Sequence, residues 1–371
     1  MIKKCMLVVI CLIFLLNMNV LAAGDGVFKI GVILYSYTDI QGQQLKSYGR
    51  YLEDHFNVEF NYVSPASTDD ASHITTLENL LATGVDAVIS GYETSLENSI
   101  KLCSENGVYY AVTLAEATQD LEKVSGNPYF LGGVKQFGDN PAEMGAKYAE
   151  AVYQAGIKNI GISSFTPALF LDAPAIMEGF ISRLAELYVD QDYQVYEPVY
   201  HFFDPAQISN TVTTYINQNP EMEAIYALGS GMDFVYPALI NNNLIDRVNL
   251  LALGYNRAAG PGIKNGTIVM AGTSNITQAM ANSFALIYDK LNGYSYDDWQ
   301  VNASIDYPTF STIEELIDFE KYVIGDKEEG SVTAAELKSV MRTYNQKASF
   351  SDLQKLVNRS LEEIKAERIT N

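Results

Sequence analysis

The sequence predicts an α/β fold of two similar halves, each built on a parallel sheet, followed by a helical extension over residues 312–371. Three observations predict it. Short apolar, β-branched runs alternate with amphipathic helical patterns from residue 28 to about residue 290. That alternation is the rhythm of βαβ units and a parallel sheet. It restarts after Asp139, so two α/β halves are the simplest account, and beyond residue 311 only helical patterns remain.

The first residues read as an export signal. Lys3 and Lys4 precede an unbroken apolar run from Met6 to Leu16, and Val20-Leu21-Ala22-Ala23 offers small residues for cleavage near Ala23. This is the three-part secretory pattern, and the run is shorter than the roughly 20 residues a membrane span needs. Residues 1–23 are therefore expected to be removed. Cys11 follows Ile10 inside the apolar run, which does not fit a lipid-attachment site.

In the first half, Phe28 to Leu34 is a buried strand. Leu45, Tyr48, Leu52 and Phe56 mark one face of a helix over Gln41 to Phe56. Val58 to Val63 alternates as a strand, and Ile74, Leu77 and Leu81 mark the next helix. The strand Val85 to Ile89 follows, then a helix opened by a Thr94…Glu97 capping box and stopped by Gly107. Val108 to Leu114 returns as a strand. In the second half, Asn140-Pro141 and Asp204-Pro205 each read as a cap with proline in the first turn. Strands are expected at Ile160 to Ser163, Gln194 to Val199, Ala224 to Leu228 and Val248 to Leu253. The helices between them span about Ala175 to Leu187, Pro205 to Asn217 and Phe234 to Asn241. The extension reads as helices over Thr312 to Tyr322, Thr333 to Tyr344 and Ser351 to Ala366, packing on one lobe.

Composition narrows the function. Without Lys3 and Lys4 the chain carries 22 basic against 45 acidic residues, a net charge of −23. Such a surface repels nucleic acid and anionic lipid. Cys103 is the one cysteine left after residue 23, so no intramolecular disulfide can form. With Leu96 and Ile100 it forms an apolar stripe at helical spacing, as a small core residue would. His55, His73 and His201 are scattered without metal-ligand spacing, and Gly229-Ser230-Gly231 lacks the spacing of a nucleophile elbow. Neither an enzyme nor a metal or other cofactor site is expected.

Several motifs, in order, resemble those of periplasmic binding proteins of the sugar-binding type, the ribose-binding and LacI-like group that serves ABC transporters. They are Ile30-Gly31-Val32, the run Thr83 to Ser90, Gly179-Phe180, the run Asn219 to Tyr226, Leu253-Gly254-Tyr255, Gly266-Thr267-Ile268 and Leu291-Asn292-Gly293. The resemblance implies a type I periplasmic binding fold: two Rossmann-like lobes joined by a three-strand hinge. It divides the chain into an N-terminal lobe of residues 24–135 and 276–298 and a C-terminal lobe of 136–275 and 299–311. Crossings are expected near Val134 to Asp139, Ser274 to Ile276 and Asn292 to Gln300. It further implies a monomer in the periplasm that hands a small-molecule ligand to a membrane permease, or reports it to a membrane kinase or chemoreceptor. A repressor of the same fold would need a DNA-binding segment ahead of the first strand, where the export signal stands.

Ligands of open α/β sheets bind beyond the carboxyl ends of the strands. Those ends offer Tyr35, Tyr37, Asp39, Tyr92, Glu93 and Glu116 in the first half. The second half offers Ser164, Phe165, Asp172, Ser230, Asp233, Tyr255, Asn256, Arg257 and Ser274. Where sugar-binding members of the family carry Arg, Asn-Asp, Asp and Gln, this chain has Ile176, Gly229-Ser230, Asn256 and Ser274. Fewer charged groups and more aromatic ones lean the site toward a ligand with an apolar face: a nucleoside, an aryl compound or a modified sugar.

Overall fold

The computed structural model describes residues 26–117, 119–229, 231–324 and 329–370; the expected export signal lies outside them. The N-terminal lobe runs β1 (Phe28–Ile33), α1 (Ile40–His55), β2 (Val58–Val63), α2 (Asp70–Leu81), β3 (Ala87–Ser90), α3 (Leu96–Glu105), β4 (Tyr109–Ala115) and β5 (Phe130–Lys135). The C-terminal lobe follows with α4 (Ala142–Gln154), β6 (Asn159–Phe165), α5 (Ala173–Leu187), β7 (Gln194–Val195), β8 (Val199–His201), α6 (Pro205–Gln218) and β9 (Ala224–Leu228). It continues through a π-turn (Gly231–Val235), α7 (Tyr236–Asn241), β10 (Asn249–Leu253), α8 (Ala259–Asn265) and β11 (Ile268–Gly272). Then come α9 (Ile276–Leu291), β12 (Asn302–Ser304) and β13 (Thr309–Phe310), and finally α10 (Ile313–Phe319), a second π-turn (Glu320–Ile324), α11 (Ala334–Val340), α12 (Phe350–Val357) and α13 (Leu361–Thr370).

The first sheet has the order β12-β5-β4-β3-β1-β2 and is parallel throughout. The second has the order β13-β11-β10-β9-β6-β7, with β8 also on β6, and is parallel except for β13. The cause is the apolar content of the strands: β3 and β9 are buried along their whole length, as strands covered by helices on both faces must be. Helices α4 and α5 meet backbone to backbone. A Cβ on Gly145 would lie 1.9 Å from the Ile176 carbonyl oxygen, and one on Gly179 2.0 Å from that of Ala142. Only glycine permits that approach, which explains Gly179 ahead of the buried Phe180. Cys103 sits in the core, its thiol pushed up to about 12 by burial and by nearby Glu93, consistent with an inert packing residue.

Several sequence expectations are corrected. The third crossing lies between β12 and β13, at residues 305–308, and not near 292–300. Residues 299–304 thus edge the N-terminal sheet instead of joining the C-terminal lobe: Trp299 Nε1 donates to the Leu131 carbonyl and Gly133 N to that of Val301. This covers an edge of β5 that would otherwise stand open. The expected strand at 194–199 is two short pieces. Thr94 does not cap α3; Ser95 stands at its cap position, and the Glu93 carboxylate accepts from Ser95 N. Asn140 reaches the Glu143 carboxylate instead of the helix backbone, whereas Asp204 caps α6 as expected, accepting from Gln207 N at 2.7 Å. The expected helix 351–366 breaks at Asn358-Arg359-Ser360, because the Ser360 hydroxyl and Glu363 close a fresh cap.

The extension packs on both lobes, not on one. Leu316, Phe319, Tyr322, Val323 and Ile364 join the C-terminal core. Val332, Ala334, Leu337, Met341, Phe350, Leu353 and Val357 join the N-terminal core beside Tyr48, Met280 and Phe284. Its amphipathic helices were legible; the lobe each would choose depends on surfaces that neighbouring sequence does not encode.

Candidate functional site

A cavity of about 830 Å³ lies between the lobes, of the size that takes a small organic molecule. Its walls are the carboxyl ends of the strands: Tyr35 after β1, Tyr92 and Glu93 after β3, Glu116 after β4, Phe165 at the end of β6, and Leu253 to Tyr255 at and just past the end of β10. Its floor comes from the three crossings, through Gln136 and Phe137, Thr273 and Ser274, and Tyr307. Ser274 Oγ donates to Gln136 Oε1 at 2.7 Å, so two hinge strands are tied beneath the cavity.

Of the residues named from sequence, Tyr35, Asp39, Tyr92, Glu93, Glu116, Phe165, Asp233, Tyr255 and Ser274 line this cavity. Two of these have side chains committed elsewhere. Glu93 Oε1 accepts from Ser95 N and Ser99 Oγ, and its other oxygen accepts from the buried Tyr110 hydroxyl. The Tyr255 ring packs edge-on to Phe310 and Phe319, and its hydroxyl donates to Glu320 at 2.7 Å.

Five others stand outside the lining. Tyr37 donates to the Val32 carbonyl at 2.9 Å and packs against Tyr62, because its side chain turns back onto the sheet. Ser164 is buried and donates to the Phe165 carbonyl. Asn256 braces its neighbours, donating to the Met232 carbonyl at 2.6 Å and to Asp233 at 3.3 Å. Arg257 is exposed on the loop after β10. Asp172 is fully buried where the lobes meet. Ser230 lies outside the described residues. Ile176 is core, packed with Phe180.

Sequence reasoning missed the main aromatic contact. Phe203, 44 % exposed at the mouth, stacks on Phe165 with centroids 5.6 Å apart and meets Tyr35 of the other lobe edge-on at 5.9 Å. Gly229, with φ of 84°, makes room: a Cβ there would stand 2.4 Å from the Phe165 ring. Phe202-Phe203 ahead of the Asp204-Pro205 cap was the available signal, since that loop follows a strand. Gln41 and Gln119 also line the cavity and were not named; Gln41 Oε1 accepts from the Tyr35 hydroxyl at 3.1 Å.

The electrostatics are one-sided. Asp39, Asp70, Glu97, Glu116, Asp120 and Asp233 line the cavity with Glu93, and Lys123, paired with Glu97, is the single basic side chain among the described lining residues. Burial raises Asp233 above its ordinary range, the Asn256 hydrogen bond opposes this, and Asp39 adds to it. Burial likewise raises Tyr35, with Asp39 and Asp233 reinforcing it.

Glu116 and Asp172 clasp the lobes together. Asp172 N donates to Glu116 Oε2 at 2.8 Å, and Ala117 N donates back to Asp172 Oδ2 at 3.0 Å. Burial, and then Asp172, pushes the Glu116 carboxyl from 4.5 up to about 7. An open cleft would return Glu116 to water and its ordinary value, so closing takes up a proton. Closure is therefore expected to be most favourable below pH 4.5, to weaken as pH rises to about 7, and to stay level above it. The span of about 2.5 pH units corresponds to roughly 300-fold in the closed-to-open ratio. Small-angle scattering of the unliganded protein between pH 4.5 and 8 measures it. Glu116→Gln should remove the part of the profile that extends up to about pH 7, and a flat profile for the unmutated protein would count against the clasp.

A family profile described as a periplasmic binding protein domain matches residues 30–295. Among solved structures, the chain is similar to an ABC transporter solute-binding protein of Bacillus halodurans C-125 with bound myo-inositol, at 19% identity over 80% of this chain and 99% of that one, with a TM-score of 0.63. It is similar to one of Actinobacillus succinogenes 130z with bound D-allose, at 15% identity over 78% and 98%, with a TM-score of 0.64. A third, of Burkholderia graminis C4D1M in complex with D-arabinose, matches at 16% identity over 78% and 97%, with a TM-score of 0.65. At these identities the likeness is one of fold. No curated protein sequence matches the chain.

Proposed function

The chain belongs to the periplasmic binding protein family, and on that premise we propose that it captures a small polar solute with an apolar face outside the cytoplasmic membrane and delivers it to an ABC permease. The observation that carries this reading is the cavity itself. It lies at the carboxyl ends of both sheets, and its floor is made of the crossings about which the lobes would turn. A ligand held by both lobes favours the closed form by its differential affinity, and closure is the signal a membrane partner can read.

The family is one of binding proteins, and the cavity chemistry is that of binding too: acceptor carboxylates and amides beside aromatic faces. Carboxylates accept hydrogen bonds from hydroxyl and amine groups, while Tyr35, Phe165 and Phe203 offer apolar faces. The bound sugars of the structural neighbours support testing hydroxylated ligands first. In this reading the export signal is removed near Ala23 and the mature chain works as a periplasmic monomer.

The test is a thermal-shift panel of sugars, nucleosides and aromatic metabolites, with scattering on each hit. A ligand at a hundred times its Kd adds about 2.7 kcal/mol of stability. At least one class should raise Tm and reduce the radius of gyration together. A panel that does neither would overturn the reading.

A further inference from the structure

Asp39 of the N-terminal lobe and Asp233 of the C-terminal lobe line the same cavity as Tyr35, and both add to the effect of burial in raising its hydroxyl. Asp39 is partly compensated: its Oδ1 accepts from Gly42 N at 2.7 Å and caps α1. Asp233 has Asn256 Nδ2 at 3.3 Å, and no lysine or arginine among the described lining residues joins it, Lys123 being held by Glu97. Two like charges brought together in a partly dehydrated cleft repel, and closing the lobes increases that cost.

Resting on the capture function above, we propose that the ligand carries a positive charge, seated between Asp39 and Asp233 against the rings of Tyr35 and Phe203. A cation there turns the repulsion that resists closure into attraction from both lobes. The rings add cation–π attraction, which strengthens as water leaves. Tyr35 and Phe203 are already edge to face across the cleft at 5.9 Å. A neutral polyol could fill the same volume and hydrogen-bond to both carboxylates, but it would leave their charges facing one another. Burial chiefly, with Asp39 as a smaller contribution, raises the Asp233 carboxyl, so its charge is costly to keep in the cleft without a counter-charge. The remaining acidic lining, including Asp70 and Asp120, would draw a cation toward the mouth and make capture sensitive to salt.

Two measurements test this. In the first, binding at pH 7.5 is compared within shape-matched sets that differ in charge: D-glucosamine against D-glucose and N-acetyl-D-glucosamine, and choline against 3,3-dimethyl-1-butanol. The cationic member should bind at least tenfold more tightly, lose affinity from 20 to 300 mM salt, and lose its advantage in Asp39→Asn/Asp233→Asn. Neutral members binding as well as their cationic partners would overturn the charge assignment and leave solute capture standing. If no member binds, the assignment falls for both classes, and the wider panel above decides the capture function separately. The second measurement needs no ligand: Asp233→Asn should make the unliganded protein more compact by scattering at pH 7.5. An unchanged radius of gyration would show that the two carboxylates do not oppose closure.

Discussion

Replacing Arg359 with alanine is expected to cost about 3–5 kcal/mol of stability, the usual result of breaking a buried charged network on one side. Arg359 is 7 % exposed and sits at the break between α12 and α13. Its Nη1 donates to Glu336 Oε1 at 2.8 Å and also bonds Glu367, while Nη2 donates to the Ser331 carbonyl at 2.9 Å. Its own carbonyl accepts from Gln278 Nε2, on the buried helix α9. The side chain therefore joins α11, on the N-terminal lobe, to α13, which returns to the C-terminal lobe. The Glu367 arm is exposed and adds little. The cost comes from Glu336: burial alone would raise its carboxyl, and Arg359 and Thr333 outweigh burial to hold it below its ordinary value. Without Arg359, Glu336 Oε1 loses its donor and its balancing charge, although Oε2 keeps the Thr333 backbone and hydroxyl donors, and the Ser331 carbonyl loses its donor as well. Urea unfolding measures the loss, and proteolysis should cut the extension first. A change under 0.5 kcal/mol would show that the extension is held by its apolar faces alone.

The extension also shows where the sequence was legible and where it was not. Periodicity is local, so helices and strands could be read from spacing, and the order of motifs carried the two-lobed fold. The third crossing was misplaced because β12 is only Asn302-Ala303-Ser304, with no apolar run to mark it. The helix break at Asn358 to Ser360 was hidden by apolar spacing that continues across it.

In the site, strand ends were legible because the parallel fold fixes which end faces the cleft. Side-chain direction was not. Tyr35 and Tyr37 are two residues apart after one strand, yet Tyr35 faces the cavity and Tyr37 turns back to Val32. Glu116 and Asp172 were each named as ligand contacts, but the bonds that tie Glu116 and Ala117 to Asp172 span 56 and 55 positions. No spacing rule connects such a pair; only the approach of the lobes does. Glu93 is the sharpest case, since it lines the cavity from a strand end while its side chain is engaged by Ser95, Ser99 and Tyr110.

Glu93→Ala is accordingly expected to lower stability by about 3–5 kcal/mol while changing ligand affinity less than about threefold, because the side chain closes a buried network behind the cavity wall. Its carboxylate accepts from Ser95 N at 2.7 Å, from Ser99 Oγ at 3.1 Å and from the fully buried Tyr110 hydroxyl. His73 Nε2, also fully buried, lies 3.5 Å from Oε2. Alanine would strand the Tyr110 and Ser99 hydroxyls without an acceptor, each at a cost of about 1–3 kcal/mol, and would loosen the start of α3. Glutamine should cost less, since its carbonyl oxygen can still serve Ser95 and Ser99, but its amide would face the Tyr110 donor. Burial and Glu93 already raise the Tyr110 hydroxyl well above its ordinary range, so that proton stays on Tyr110 and needs an acceptor. Unfolding and binding measured on the same preparation separate the roles. Unchanged stability with affinity lost tenfold or more would mean that the Glu93 side chain serves the ligand directly and that the wall is held by its neighbours.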